Sequence, residues 1–251
     1  MTFKDKVVLI TGGSRGIGKA IAFAFAFKGA KVIINYRSNK AAAQETLDQL
    51  PEGEHSIIQG DISKADVVRL LINNVMDKHG RIDVVVNNAG IFEKHPIEEI
   101  NYTQWQYTWQ RTLNTNLVGV ANVCYCASQY MIQQKGGKII NISSRGAFRG
   151  EPDHPAYGAS KAGLNSMSQS LAKALAKHNI FVGVIAPGYV MTDMTKEQLE
   201  GPEGKDIKAQ SPMNRVAKPA EIAAAVLFMA GEDSAYMTGA ILDINGASYF
   251  R

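Results

Sequence analysis

Seven short apolar runs recur along the chain: Lys6–Thr11, Lys31–Tyr36, Ser56–Gln59, Val84–Asn87, Lys138–Ile142, Phe181–Ala186 and Ile241–Ile244. They are rich in Val and Ile and show little polar alternation, the pattern of strands buried on both faces. Between them the apolar residues fall at helical spacing. Val67, Val68, Leu71, Ile72, Val75 and Met76, for example, build one apolar helix face. This alternation of strand and helix predicts an α/β fold, a doubly wound seven-stranded parallel sheet with helices on both faces. No Pro/Gly/Ser-rich linker, internal repeat or low-complexity tract interrupts it, so residues 1–251 read as a single domain.

Composition narrows the classes further. Of 251 residues, 45% are apolar and 20% charged, which excludes disorder as the organising theme. The net charge of +4 is spread without a basic run of five, so no nucleic-acid partner is expected. The two cysteines, Cys124 and Cys126, have a spacing that suits neither a zinc site nor a redox pair, and read as small buried filler. The histidines are scattered, and no metal site is expected. The run Val7–Ile10 is too short for a signal peptide, and the apolar stretch Ala20–Phe27 too short to span a bilayer. A cytoplasmic protein with no membrane partner is the expectation.

The first strand runs into Thr11-Gly12-Gly13-Ser14-Arg15-Gly16-Ile17-Gly18, and a helical pattern begins at once. Strand, glycine-rich turn and helix N-terminus together form an anion site, because backbone N–H groups and the positive end of the helix dipole converge there. Glycine permits the positive φ of such a turn and lets a pyrophosphate approach the backbone. The spacing is G-x-x-x-G-x-G, unlike the common G-x-G-x-x-G; a tight packing turn is the alternative reading. The second strand ends Asn35-Tyr36-Arg37, without the Asp or Glu that would bind the ribose hydroxyls of NAD. Arg15 and Arg37, placed at two loops that face the same mouth, favour NADP(H) through its 2′-phosphate; solvated surface arginines are the alternative.

Tyr157 and Lys161 stand four apart and share one helix face. A nearby lysine cation favours the phenolate, so the pair can act as general acid/base in a carbonyl–alcohol interconversion. A bare Y-x-x-x-K is common by chance, and its weight comes from its company. Thr11-Gly12-x-x-x-Gly16-x-Gly18, Asp61, Asn87-Asn88-Ala89-Gly90, Asn116, Ser144, Tyr157-x-x-x-Lys161 and Pro187-Gly188 follow one another in the order and spacing of the classical short-chain dehydrogenase/reductase family. From Lys6 to its C-terminus the chain resembles that family. Within it, Gly13–Gly18, Ala186-Pro187-Gly188, Thr192-Asp193-Met194 and the tail Met237–Gly239 and Ile244–Gly246 are most similar to 3-oxoacyl-[acyl-carrier-protein] reductases.

The resemblance implies a Rossmann-like fold and assigns roles residue by residue. Tyr157 is the proton donor to the substrate oxygen. Lys161 lowers its pKa and holds the nicotinamide ribose. Ser144 hydrogen-bonds the developing oxyanion, and Asn116 steadies a helix and a water of the proton relay. The cofactor would lie against Gly12, Ser14, Arg15, Gly16, Ile17, Gly18, Arg37, Asp61, Ile62, Asn88, Ala89, Gly90, Tyr157, Lys161, Pro187, Gly188, Val190 and Thr192. Structural alternatives exist: a loop cap for Ser144, a helix-interior hydrogen bond for Asn116, a strand-ending turn for Asn87–Gly90, a helix cap for Asp61.

The implied activity is NADPH-dependent reduction of a ketone, with a 3-oxoacyl thioester as the favoured substrate and acyl-carrier-protein as the implied partner. Alternatives are another ketone, such as a sugar or a cyclic or xenobiotic compound, and a non-catalytic cofactor-binding regulator. The resemblance also implies a homotetramer built through the helices after Asn101 and Tyr157. Where the family presents arginines to the acidic carrier, this chain has Lys135 and the Lys177-His178 pair. Arg145 and Arg149, which flank Ser144, would meet an anionic substrate group or stand as solvated loop charges. Thr195–Pro212 would form a mobile lid over the substrate.

Overall fold

A computed structural model describes residues 2–251. In chain order the elements are β1 (Val7–Thr11), α1 (Gly16–Ala26), β2 (Lys31–Tyr36), α2 (Lys40–Asp48), β3 (Ser56–Gln59), α3 (Ala65–His79) and β4 (Val84–Asn87). Then come α4 (Tyr102–Leu113), a π-helical turn (Asn114–Val118), α5 (Gly119–Gln133), β5 (Gly137–Ile142), α6 (Gly146–Arg149), α7 (Pro155–Leu175) and β6 (Ile180–Pro187). α8 (Lys196–Glu200), α9 (Gly204–Ala209), α10 (Pro219–Ala230) and β7 (Ile241–Ile244) complete the chain.

The strands form one parallel sheet in the order β3-β2-β1-β4-β5-β6-β7. The expected strands are all present; β5 and β6 each start one residue early because Gly137 pairs with Ile180. Alternate residues of each strand feed two cores. Val8 and Ile10 pack with Ile21, Phe25, Ile222 and Val226 of α1 and α10, whereas Val7 and Leu9 pack with Leu71, Ile72, Val123 and Leu164 of α3, α5 and α7. Burial on both faces explains the unbroken Val/Ile runs. The apolar stripe of α3 buries Val68, Leu71, Ile72 and Val75 as its spacing requires, and Gly80 ends the helix at φ 69° in the left-handed region.

The sequence changes direction between β1 and β4, from which the chain winds outward both ways. At such a switch point the loops beyond the carboxyl ends of the strands part and leave a crevice. Thr195–Pro212 is a loop–helix segment, in which α8 and α9 bury Leu199 and Ile207 against Val216 and Tyr189 in a small core of their own. One expectation is corrected. Cys124 is buried, but Cys126 sits on another face of α5 and is half-buried. Among the described residues no helix is long and apolar enough to cross a membrane, and no cluster of His, Cys, Asp and Glu could hold a metal ion.

Candidate active site

A cleft of about 700 Å³ runs along the carboxyl ends of β1, β2, β4, β5 and β6. At one end the turn after β1 enters α1. Gly12 has φ 62° and Gly16 φ 55°, conformations that glycine adopts without strain. A Cβ on Gly12 would stand 2.9 Å from the Cα of Ala89, so the two loops approach as closely as backbones can. Thr46 Oγ1 donates to Ser14 O at 2.8 Å, and Gly13 N–H donates to Asn35 O at 3.0 Å, fixing the turn from the side. No side chain caps α1, and its first turn holds no acidic residue. Its leading amides therefore face the cleft with positive character and no protein acceptor, which fits a phosphate-bearing cofactor.

The neighbouring loops complete this end. Asn88 Nδ2 donates to Thr11 O at 3.1 Å and to Gly12 O at 2.9 Å, and Thr11 Oγ1 accepts from the N–H groups of Asn88 and Ala89. Arg15 and Arg37 both line the cleft, are exposed, and enter no ion pair among the described residues. Asp61 lines it too, while its Oδ1 accepts from Ser63 N–H at 3.0 Å and Ser63 Oγ at 2.7 Å. Its carboxylate thus secures the turn into α3 as well as facing the cleft.

At the other end Ser144, Tyr157 and Lys161 share the wall with Pro187, Gly188 and Val190, while Thr192 reaches back to the glycine turn beside Gly16. α7 opens on Pro155, whose fixed φ suits a first helical position. The next amide, of Ala156, donates to His95 Nε2 at 3.1 Å, an outside cap for the helix that carries Tyr157 and Lys161. The edge of Phe92 meets the Tyr157 ring at 4.7 Å, and Phe92 stacks on His154 at 3.6 Å. Burial pushes the His154 imidazole down to about 4, so it stacks as a neutral ring.

Electrostatics here differ from the simple pairing argument. Burial pushes the Tyr157 phenol up to about 12, opposed by the nearby Ser144 hydroxyl. Burial likewise pushes Lys161 down to about 8. Lys161 Nζ lies 5.6 Å from the centre of the Tyr157 ring and donates to Ile142 O at 2.7 Å. In the cofactor-free chain desolvation shifts both groups toward their neutral forms, yet at about 8 Lys161 still carries its proton at neutral pH.

Two expected site residues stand behind the wall. Gly18 is buried within α1, where a Cβ would lie 2.2 Å from Gly12 O and 2.6 Å from Asn88 Nδ2; it serves helix-to-turn packing and lies outside the cleft lining. Asn116, fully buried in the π-helical turn, accepts from Ile91 N–H at 2.9 Å and donates to Ile91 O at 2.9 Å and Ser160 Oγ at 3.3 Å. It anchors the cleft-lining loop after β4 and does not reach the cleft itself. Lys135 and Lys177 are also displaced. They precede β5 and β6, whereas Ser144 and Pro187 follow or end those strands, so the lysines sit at the sheet edge opposite the mouth. Gly137 N–H bonded to Asn179 O joins their two segments there. Phe92, Glu151, Thr115 and Tyr189 line the cleft without having been expected. Only Tyr189, flanked by Gly188 and Val190, carried a sequence signal.

Known proteins are similar to this chain over nearly its whole length. The short chain dehydrogenase family profile matches residues 6–203. A 3-oxoacyl-[acyl-carrier-protein] reductase of Chlamydia trachomatis is 40% identical over 245 residues, covering 96% of each chain. A protein of the same name from Thermotoga maritima is 37% identical over 248 residues, covering 98% of each. The crystal structure of gox2181 superposes with a TM-score of 0.92 at 32% identity, over 98% of this chain and 96% of that one.

Proposed function

This chain belongs to the short-chain dehydrogenase family and is an oxidoreductase acting on CH–OH groups, and we propose that it reduces a ketone with NADPH, by preference a 3-oxoacyl thioester. The observation that carries the reading is a single cleft with Ser144, Tyr157 and Lys161 at one end and an uncapped glycine turn with two unpaired arginines at the other. The thioester rests on the name the relatives bear.

NADPH, when bound, supplies a hydride to the carbonyl carbon. Gly12, Ser14, Gly16 and the first amides of α1 would hold its pyrophosphate, and Arg15 and Arg37 its 2′-phosphate. Ser144 donates a hydrogen bond to the ketone oxygen as charge develops there. Tyr157, kept protonated by its burial, gives its proton to that oxygen. Lys161 holds the ribose and compensates the phenolate left behind. Asn116 fixes Ile91 and, through Ser160, the turn of α7 beside Tyr157.

The position of Lys135 and Lys177 away from the mouth favours a second reading, in which the ketone comes as a free small molecule. NADPH oxidation separates the two. A 3-oxoacyl group is offered on acyl-carrier-protein and on a small thiol, beside a cyclic ketone and a keto sugar. Turnover of both thioesters above the other ketones supports the first reading; preference for a ketone without a thioester overturns it. No oxidation with any carbonyl compound overturns the reductase assignment itself.

A further inference from the structure

The reduction described above gives Arg145 no part, although the residue follows Ser144 directly and lines the same cleft. It is no solvated loop charge: only 3% of its surface is exposed. A buried guanidinium is costly unless a counter-charge compensates it, and here compensation is partial: Glu151 favours the charge from nearby but makes no ion pair with it. Glu151, the carboxylate nearest in sequence, pairs with Arg149 at 3.4 Å. The partners of Arg145 are neutral. Nη2 donates to Gln210 Oε1 just beyond α9, which also accepts from Arg149 Nη1 at 3.2 Å. The guanidinium lies 5.1 Å over the Tyr189 ring, and the backbone N–H donates to Pro187 O at 2.9 Å. Burial and the adjacent Arg149 work against its charge and outweigh the opposing pull of Glu151. Of the five donors a guanidinium carries, one is engaged by a side chain. Arg145 and Tyr189 also line a second cavity of about 730 Å³ behind α9, so the side chain separates two open spaces.

We propose that Arg145 is a specificity-determining residue: its guanidinium binds a second oxygen acceptor of the ketone substrate, a thioester carbonyl or a carboxylate, beside Ser144. The inference rests on the reductase reading and sharpens it. A 3-oxoacyl thioester carries a second carbonyl one methylene from the ketone, and a 3-oxo acid carries a carboxylate there. Either supplies the acceptor that the protein withholds from Arg145, and either would leave a plain ketone less well held. Such a contact selects strongly, because a substrate lacking the acceptor leaves the buried donors unpaired.

The test compares three ketones of equal chain length with NADPH: a 3-oxoacyl thioester of a small thiol, the matching 3-oxo acid, and a plain methyl ketone. Arg145→Met keeps length and removes the donors; Arg145→Lys keeps the charge. Loss of a charge-assisted contact should lower kcat/KM in Arg145→Met about tenfold or more beyond whatever the plain ketone loses. Arg145→Lys should recover part of that difference. A larger loss for the thioester identifies the carbonyl as the acceptor, and a larger loss for the acid identifies the carboxylate. Equal losses for all three ketones overturn the proposal. Should Arg145→Met fail to fold, the Arg145→Lys variant decides by the same ratio. Should the wild type reduce none of them, the reductase reading fails by itself. Calorimetric titration of the wild type and Arg145→Lys with the 3-hydroxyacyl thioester and the 3-hydroxy acid then decides Arg145, and equal affinities in both proteins overturn its role.

Discussion

Lys161 donates to the carbonyl oxygen of Ile142 at 2.7 Å, so the ammonium is held by the last residue of β5 rather than by the Tyr157 hydroxyl. The contact fixes the side chain without neutralising it. Burial lowers the Lys161 pKa from an ordinary 10.5 to about 8, so between those values the unfolded chain binds more protons than the folded one. Stability of the cofactor-free protein should therefore rise with pH across that window. Urea unfolding at several pH values from 7.5 to 10 checks it: Lys161→Met should lack the rise, and an unchanged slope in the variant refutes it.

Tyr157→Phe keeps the ring against Phe92 and removes the proton donor. Turnover should fall about 10²–10⁴-fold, the span for loss of a general acid, while NADPH titrated by fluorescence binds as to the wild type. Near-normal turnover would remove Tyr157 from the mechanism.

Arg15 and Arg37 line the cleft free of ion pairs, so a 2′-phosphate would meet two uncommitted cations. Replacing both by Ala should weaken NADPH far more than NADH, with each arginine contributing about tenfold or more. Parallel titrations of both cofactors read the ratio; equal losses mean that the arginines do not read the phosphate.

Gly18→Ala probes a residue that lies outside the cleft lining but packs against Gly12 and Asn88 from behind. The new methyl would press on Gly12 O at 2.2 Å and Asn88 Nδ2 at 2.6 Å. Overpacking of this kind costs about 1–3 kcal/mol, and here the displaced atoms belong to the glycine turn. Thermal unfolding should shift downward and NADPH affinity should fall together, so a variant that loses stability but keeps its affinity would show the turn to be independent of α1.

The strands were legible because burial on both faces demands unbroken Val/Ile runs, and the cleft because its motifs sit where those runs end. What escaped was depth and side. Lys135 and Lys177 carry the right charge, yet in a parallel sheet residues before a strand and residues after it lie at opposite edges, which is why they miss the mouth. Arg145 read equally as a contact for an anionic substrate group or as a solvated loop charge, because its burial is imposed by Gln210 and Tyr189, more than forty residues downstream. Gly18 and Asn116 were recognised by their motifs, but a motif does not say whether a residue forms the wall or stands behind it.

The π-helical turn Asn114–Val118 holds one residue more than α-helical winding allows. Each helical residue advances by roughly 100° about the axis, so this extra one gives α4 and α5 different angular origins. The offset lets Asn116 turn to Ile91 while Val120, Val123, Cys124 and Ala127 face the sheet just beyond it. A chain lacking a single residue here would regain a regular helix and lose the alignment. Either the apolar stripe of α5 or the amide of Asn116 would swing out of place by about a quarter turn. The segment therefore tolerates substitution far better than deletion: its length, more than its composition, sets the angle at which α5 meets the sheet.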